Sequence, residues 1–442
     1  MVILFGIILS IMYFSVAFCG SRDIFSPRFI FNVYAWLKNV PYFIQIGNRY
    51  SEEVIIKYFV IKMIGFIMVN LGISVYEKYF AWKWRYNYRD IVDIRGENAI
   101  LRFYYAGWLF LITGFGLKFQ IIQSAGGLSY VLQHLQSRGV LLAGAGYSNT
   151  FSSYLLNCAV LCMGYYYYKT KRGKYSFSIS VIVATALLLV FGARKPVMML
   201  WVKILMCYHY CKKEIRLKDI FRPKYLGLIV VVFLLMLMIP MLRYTENSKV
   251  YQNPVLWMQA ALDNANTIFR EFSYLTGDMY TFEHFNISNC WWGQVYLNIL
   301  VQWIPRSIFP SKPPMDDGMY LYNLMQGIKV TPNMSTESLL YQTSVPFTME
   351  GALYANFSYI GIIIGCLGIG ILYAYVYKVL IQTRANVFMI MIYQAVIFEF
   401  VPSVLHTVSP LICIAFTGII MVPLLKIRIR KLLKRRYRRL IL

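Results

Sequence analysis

Apolar segments of bilayer-crossing length recur along this chain, near residues 2–19, 29–46, 56–77, 102–121, 151–168, 176–192, 197–211, 225–242, 352–378, 386–404 and 410–425. A hydrocarbon core of about 30 Å takes roughly 20 residues of helix to cross. Backbone polar groups have no water partners there, so an open chain must satisfy them within helices. Only 14% of the 442 residues are charged and 59% are hydrophobic, whereas a soluble domain carries about a quarter charged residues. The expected fold is an all-α polytopic membrane protein with about 11 (10–12) transmembrane helices. The segment 29–46 contains Lys38 and Pro41; if it only dips into the membrane, ten helices remain.

Lys and Arg total 44 against 19 Asp and Glu, a net charge of +25. The basic residues cluster in short loops, at Lys169–Lys174, at Lys212–Lys224 and in an acid-free tail from Lys426. The positive-inside rule makes these loops cytoplasmic and explains the charge without nucleic acid. Two cytoplasmic flanks require the intervening chain to cross twice, which puts Arg194 and Lys195 at an outer hairpin, against the charge rule. From Tyr244 to Glu350 the chain runs 107 residues between spans, with five Lys or Arg against nine Asp or Glu, so this loop is expected to be external. The organisation is then membrane helices over 1–243, an external loop over 244–350, further helices over 351–425 and a basic tail over 426–442.

Within the loop, 254–275 reads as a helix with Asp263, Asn266 and Arg270 on one stripe. Trp291 to Trp303 has the pattern of an amphipathic helix in the bilayer interface. The proline-rich run after Ile304 presents Arg306 and Lys312 just above the headgroups. Met1 to Cys19 lacks a basic n-region, which argues against a removable signal peptide. Cys158/Cys162 and Cys207/Cys211 have i,i+4 spacing, but no His or acid completes a metal site around them, so packing is their expected role.

External cations are the first chemical clue. Guanidinium groups bind phosphate oxygens bidentately, so Arg194, Lys195, Arg243, Arg270, Arg306 and Lys312 are candidate ligands for a lipid-linked phosphate or pyrophosphate. Snorkelling to headgroups is the alternative for Arg194 and Arg243. Carboxylates are the second clue, since transfer to a hydroxyl needs a general base. Glu350 stands where the loop re-enters the membrane, with Asp278, Glu337 and the pair Asp316/Asp317 as competitors. Asp316 and Asp317 alone are weak support for a divalent cation. Lys62 and Lys203 lie inside expected spans, where either could snorkel; Lys62, in the outer half of its helix, is the better functional candidate. His406, near the outer end of a span, reads as a helix-end histidine, with a buried acyltransferase-type histidine as the alternative; His284 lies beside Glu283 with no Ser elbow to serve.

The sequence Phe191-Gly192-Ala193-Arg194-Lys195-Pro196 at an outer hairpin, Arg243 opening the loop, Pro305 to Pro313, and Glu350-Gly351-Ala352-Leu353-Tyr354-Ala355-Asn356-Phe357 before a Gly-rich span together resemble the Wzy-type O-antigen or oligosaccharide repeat-unit polymerases. The resemblance implies transfer of a growing glycan from undecaprenyl pyrophosphate onto the next lipid-linked unit, at the outer face of a bacterial inner membrane. It further implies a glycosyltransferase type C-like bundle, no cofactor and no nucleotide sugar, and a chain-length regulator protein as a further partner. An O-antigen ligase, or a flippase or exporter of the same lipid-linked sugar, are the rival readings.

Overall fold

The computed structural model describes residues 1–20, 23–80, 97–135, 141–142, 145–192, 194–220, 222–223, 227, 255, 259, 273–304, 308–382 and 387–417. These residues form helices and loops, with no strand among them. Three of the described helices are long and apolar enough to cross a membrane, spanning Glu52–Tyr79, Ile100–Ser124 and Met349–Gln382. Val2–Phe18, Lys174–Leu189, Val387–Glu399 and Val404–Phe416 are apolar but shorter. The protein is therefore an α-helical, membrane-associated chain. The expected span 225–242 and the expected helix 254–275 fall almost wholly outside the described residues.

The chain divides into two compact units. The first comprises Met1–Asn87, Ile215–Thr383 and Tyr393–Pro410, and the second comprises Tyr88–Glu214, Arg384–Ile392 and Leu411–Leu442.

The first unit opens with α1 (Val2–Gly20), α2 (Pro27–Asn39), α3 (Pro41–Ile46) and α4 (Glu52–Val75). The expected single helix over 29–46 is in fact two. The nitrogen of Pro41 has no proton to donate, so helix α2 ends at Asn39 and a new one starts at Pro41. Ser26 starts α2 by accepting the Phe29 N–H, with Pro27 in the first turn, where its missing donor does no harm. Glu52 and Glu53 occupy the first turn of α4, the end of the helix dipole that favours acids.

In the second unit, α5 (Glu97–Ser124) packs antiparallel to α6 (Gly146–Thr170). Phe103 meets Tyr165 at one end of the pair, and Lys118 bonds Asn149 toward the other. Gly107 and Gly114 let the two helices close up, since a Cβ at either would press on Met163 or Leu156. Helices α7 (Lys174–Leu189) and α8 (Arg194–Cys211) complete the packing around α6. Cys158, Cys162, Cys207 and Cys211 are all buried and free.

Further helices of the first unit are α9 (Leu275–His284), α10 (Gln294–Val301), α11 (Gly318–Met325) and α12 (Met349–Gln382). Helix α12 is not the straight span that the sequence suggests. Phe357 (φ −142°, ψ 15°) and Ser358 (φ 53°, ψ −146°) break it. Leu353 and Gly365 would lie about 18 Å apart in an unbroken helix. Instead, a Cβ on Gly365 would sit 2.4 Å from the Leu353 side chain, and one on Gly361 would sit 2.5 Å from the Leu353 carbonyl. Residues 349–356 therefore fold back as a short arm along the long arm 359–382. The Trp291 N–H donates to the Ala355 carbonyl at 2.9 Å, satisfying an acceptor that the break has freed.

The long arm of α12 runs parallel to α4: Gly370 meets Val69, and Tyr375 meets Tyr76. A Cβ on Gly370 would lie 2.1 Å from the Val69 carbonyl oxygen, and one on Gly72 would lie 2.2 Å from that of Leu367. Close backbone approach of this kind is how helices associate where the surroundings are as apolar as the interface. We expect Gly370→Ala to destabilise the protein by about 1–3 kcal/mol. Gly368→Ala, whose Cβ would meet open space, should leave thermal unfolding in detergent unchanged. Equal melting temperatures for the two variants would contradict this packing.

Candidate functional site

Lys62 lies on α4 ten residues past Glu52, about 15 Å along the helix. Its side chain is completely buried, so it does not snorkel as its position in the sequence allows. The ammonium is held between two carboxylates, with Nζ 2.8 Å from Asp278 Oδ2 and 2.9 Å from Glu350 Oε2. Asp278 and Glu350 are themselves 3% and 4% exposed.

Both acids arrive in the same way. Asp278 sits in the first turn of α9 and Glu350 in the first turn of the short arm of α12. Each of these segments runs antiparallel to α4. Asp278 meets Lys62, Phe282 packs near Tyr58, and Lys57 Nζ is 3.5 Å from the Phe285 carbonyl. In the other segment Glu350 lies against Gly65, and Tyr354 lies under Lys57 at 5.1 Å. Two short helices thus point their N-terminal ends at one buried lysine, each with an acid in its first turn.

Thr348 joins the two ends. Its Oγ1 accepts the Gly351 N–H at 3.0 Å as the cap of the short arm, and its hydroxyl donates to Asp278 Oδ1. Gly65 is required because a Cβ there would be 2.9 Å from Glu350 Cγ and 3.0 Å from Oε1. Burial pushes the Asp278 carboxyl above its ordinary range, opposed by Lys62 and the Thr348 hydroxyl.

One space adjoins the cluster and a second lies farther along α4. A cavity of about 50 Å³ is lined by Lys38, Asn39, Thr348, Glu350 and Tyr373; it takes a few water-sized groups. Toward the Glu52 end of α4 lies an open groove of about 600 Å³ lined by Glu53, Lys57, Asn286, Tyr354, Ser358 and Tyr359. That is the size range of small-ligand sites.

The other sequence candidates are placed elsewhere. Glu337 is exposed on its loop. Lys312 is not the exposed cation expected above the headgroups: it is 4% exposed, and its ammonium donates to the carbonyls of Gln302 (3.3 Å) and Ile304 (2.7 Å). Folding the proline-rich run back onto the end of α10 creates those acceptors. Trp291 is likewise buried, packed against Phe285, Tyr320 and Phe347, while Trp292, Leu297, Leu300 and Trp303 of the expected interfacial helix are exposed. Arg243, Arg270 and Arg306, and the side chain of Arg194, lie outside the described residues; Lys195 is exposed in the second unit. Lys203 is buried there. His406 Nδ1 is 3.0 Å from the Ser403 hydroxyl, and His284 stacks on Tyr280. No group of three or more metal-ligating side chains occurs among the described residues.

Asp316 and Asp317 do structural work. Asp316 accepts the Gly318 N–H at 3.0 Å, and Asp317 accepts the Val404 N–H at 3.2 Å, which ties α11 to a distant helix start, that of Val404–Phe416. Burial, with Asp316 alongside, pushes the Asp317 carboxyl up to about 7. The pairing of Lys62 with these particular acids had no sequence signal, because the partners come from three separate stretches. Thr348, three residues before Gly351, did carry a capping signal.

Two stability predictions follow from these burials. Lys62→Met strands two carboxylates and should cost about 3–5 kcal/mol. The triple variant Lys62→Met/Asp278→Asn/Glu350→Gln, with no charge left to strand, should melt within a few degrees of wild type; a triple variant as unstable as the single one would contradict the cluster. For Asp317, the folded carboxyl near 7 lies above the unfolded value of 3.8, so the folded state binds the extra proton. Stability is then greatest below pH 4 and falls by up to about 1.4 kcal/mol per unit as pH rises toward 7. Asp317→Asn keeps an acceptor for Val404 and should flatten this slope and raise the melting temperature at pH 8; an unchanged slope would overturn the assignment.

Compared with family models, curated proteins and solved structures, the chain finds no match.

Proposed function

We propose that the protein polymerises lipid-linked oligosaccharide repeat units, moving a growing glycan from undecaprenyl pyrophosphate onto the terminal sugar of the next lipid-linked unit. In this reading it is an inner-membrane glycosyltransferase with a type C-like bundle of about eleven spans, and its site faces the periplasm. The observation that carries the proposal is the Lys62 cluster, with one ammonium shared by Asp278 and Glu350 beside a hydroxyl-sized cavity and near a sugar-sized groove. Ionisable groups buried within membrane helices mark functional sites by default.

The chemistry would run as follows. An acceptor hydroxyl oxygen attacks the anomeric carbon, the bond from that carbon to the pyrophosphate oxygen breaks, and the pyrophosphate leaves on its lipid. Glu350, which lines the small cavity, takes the hydroxyl proton. Asp278 then remains as the counter-charge of Lys62, so protonation leaves a neutral ion pair in place of a bare ammonium. The phosphate charge on the leaving group would be met by cations named from the sequence within the same unit, Arg243, Arg270 and Arg306.

The same cluster favours a second reading. Short half-helices converging on a shared proton site are a feature of coupled transporters, which suits a flippase or exporter of the same lipid-linked sugar. Glu350→Gln in a deletion strain, with the surface glycan run as a ladder, separates the two. A polymerase base predicts that long chains fall about 10²–10⁴-fold while a single repeat persists. Gly65→Ala, which crowds Glu350, should act in the same direction more weakly. Loss of every repeat would identify an exporter, and a full ladder from Glu350→Gln would remove Glu350 as the base.

A further inference from the structure

The Lys62 cluster has a second cation beside it that the proposed chemistry leaves unused. Lys38 stands in the last turn of α2, the end of a helix dipole that favours a positive charge. Its neighbour fixes its place: the Asn39 side chain donates to the Tyr13 hydroxyl at 3.2 Å, and the Tyr58 hydroxyl donates to the Asn39 carbonyl at 2.9 Å. Tyr58 is one turn before Lys62 on α4, and the centre of its ring is 5.4 Å from the Lys62 ammonium.

The protein satisfies the Lys38 ammonium poorly. It lies 4.3 Å from the centre of the Tyr34 ring and 5.8 Å from that of Tyr274. Among the described residues it makes no hydrogen bond and no ion pair. A ring face attracts a cation, but it does not replace oxygen acceptors for the three N–H groups. Glu350 is near enough for its charge to act on Lys38, yet its Oε2 is taken by Lys62 at 2.9 Å. Glu350 Oε1 receives no hydrogen bond among the described residues.

Lys38 and Glu350 both line the cavity of about 50 Å³ and are the only charged residues that do so among the described ones. Asn39 and Thr348 share its wall, with their side chains committed to Tyr13 and Asp278. The rest of the lining is apolar or aromatic, the composition of a small-ligand pocket in which a few polar groups set specificity. The cavity therefore offers one uncommitted donor and one uncommitted acceptor. Its volume takes about three to five water-sized groups, which suits a hydroxyl with a carboxylate on the next carbon, while a pyrophosphate is about twice that size.

We infer that Lys38 and Glu350 together select an acceptor sugar that carries a carboxylate beside the attacking hydroxyl, a uronic acid, with Lys38 holding the carboxylate and Glu350 the hydroxyl. The inference rests on the transfer reading for the role of acceptor. An acid on the sugar gives Lys38 the counter-charge that the protein does not supply, through a charge-assisted contact about twice as strong as a neutral one. It also sets the sugar's orientation, because adjacent groups on the ring are gripped by two side chains of opposite charge. A neutral sugar offers Lys38 a hydroxyl at most.

The test measures binding to the full-length protein in detergent by ligand-observed NMR, with methyl glucuronide, methyl glucoside and acetate as probes. Wild type should bind the glucuronide about tenfold or more tightly than the glucoside, the scale of one charge-assisted hydrogen bond. It should also prefer the glucuronide to acetate, which lacks the hydroxyl. Lys38→Gln should bind the two sugars alike, Lys38→Arg should keep the preference, and Lys171→Gln, in an exposed loop, should match wild type. Equal binding of the two sugars to wild type, acetate binding as tightly as the glucuronide, or a preference that survives Lys38→Gln would overturn the inference. The first two comparisons need no variant, so they decide the matter even where Lys38→Gln does not fold. The probes bind without being transferred, which separates this result from the glycan ladder. A ladder lost in Glu350→Gln with no glucuronide preference removes the uronic acid and leaves a polymerase with a neutral acceptor. A full ladder with the preference intact removes the transfer and leaves a sugar-acid site.

Discussion

A lysine ammonium with no exposure at all survives inside an apolar helix only if negative charge is brought to it, and the architecture of the first unit is organised around that requirement. Taking one ion out of water costs several kcal/mol even after relaxation. No neighbouring turn of α4 offers an acid to Lys62. The counter-charges must be carried in by other segments, and each has to enter an apolar region without stranding its own backbone groups. Short helices satisfy that condition, because their hydrogen bonds are internal except at the ends, and the exposed N–H groups at those ends favour the acids they deliver.

The break at Phe357–Ser358 follows from the same geometry. An unbroken helix from Met349 would carry Glu350 away from the long arm along one axis. Folding residues 349–356 back against residues 359–382 sets Glu350 beside Gly65 on α4. The fold-back is made possible by glycines at 361 and 365, where Leu353 would otherwise collide, and it is held by the Trp291 N–H on the Ala355 carbonyl. Gly370 and Gly72 then lock the long arm to α4, which fixes the register between Lys62 and Glu350. A positive φ at Ser358, a residue type that rarely adopts it, is the strain this arrangement stores.

The two units handle buried charge in opposite ways. In the first, Lys62 is matched by two carboxylates, and the surplus negative charge gives the cluster room to accept a proton without disrupting the ion pair. In the second, the sequence has no acid between Glu97 and Glu214, and among the described residues Lys118 meets an amide and an aromatic ring.

The sequence by itself determined the class of the protein. Recurrent apolar segments and scarce charge dictate a helical membrane protein, because hydrophobic length and backbone satisfaction are local properties of a segment. It also singled out Lys62 and Glu350, since an ionisable residue beside or within an apolar run stands out without any knowledge of its neighbours, and it named Asp278 only among competing loop acids. It could not pair them, because an ion pair across 288 positions depends on which way each segment turns, and those turns are set by contacts with residues far along the chain. For the same reason Lys312 read as an exposed cation and Trp291 as an interfacial anchor: the backbone carbonyls and rings that bury them exist only once the loop has folded back. The straight helix expected over 352–378 failed at Ser358, where packing of Leu353 against Gly361 and Gly365 outweighed a strong local helical pattern. Tertiary structure decided the site, because only packing brings first turns from two helices to one lysine.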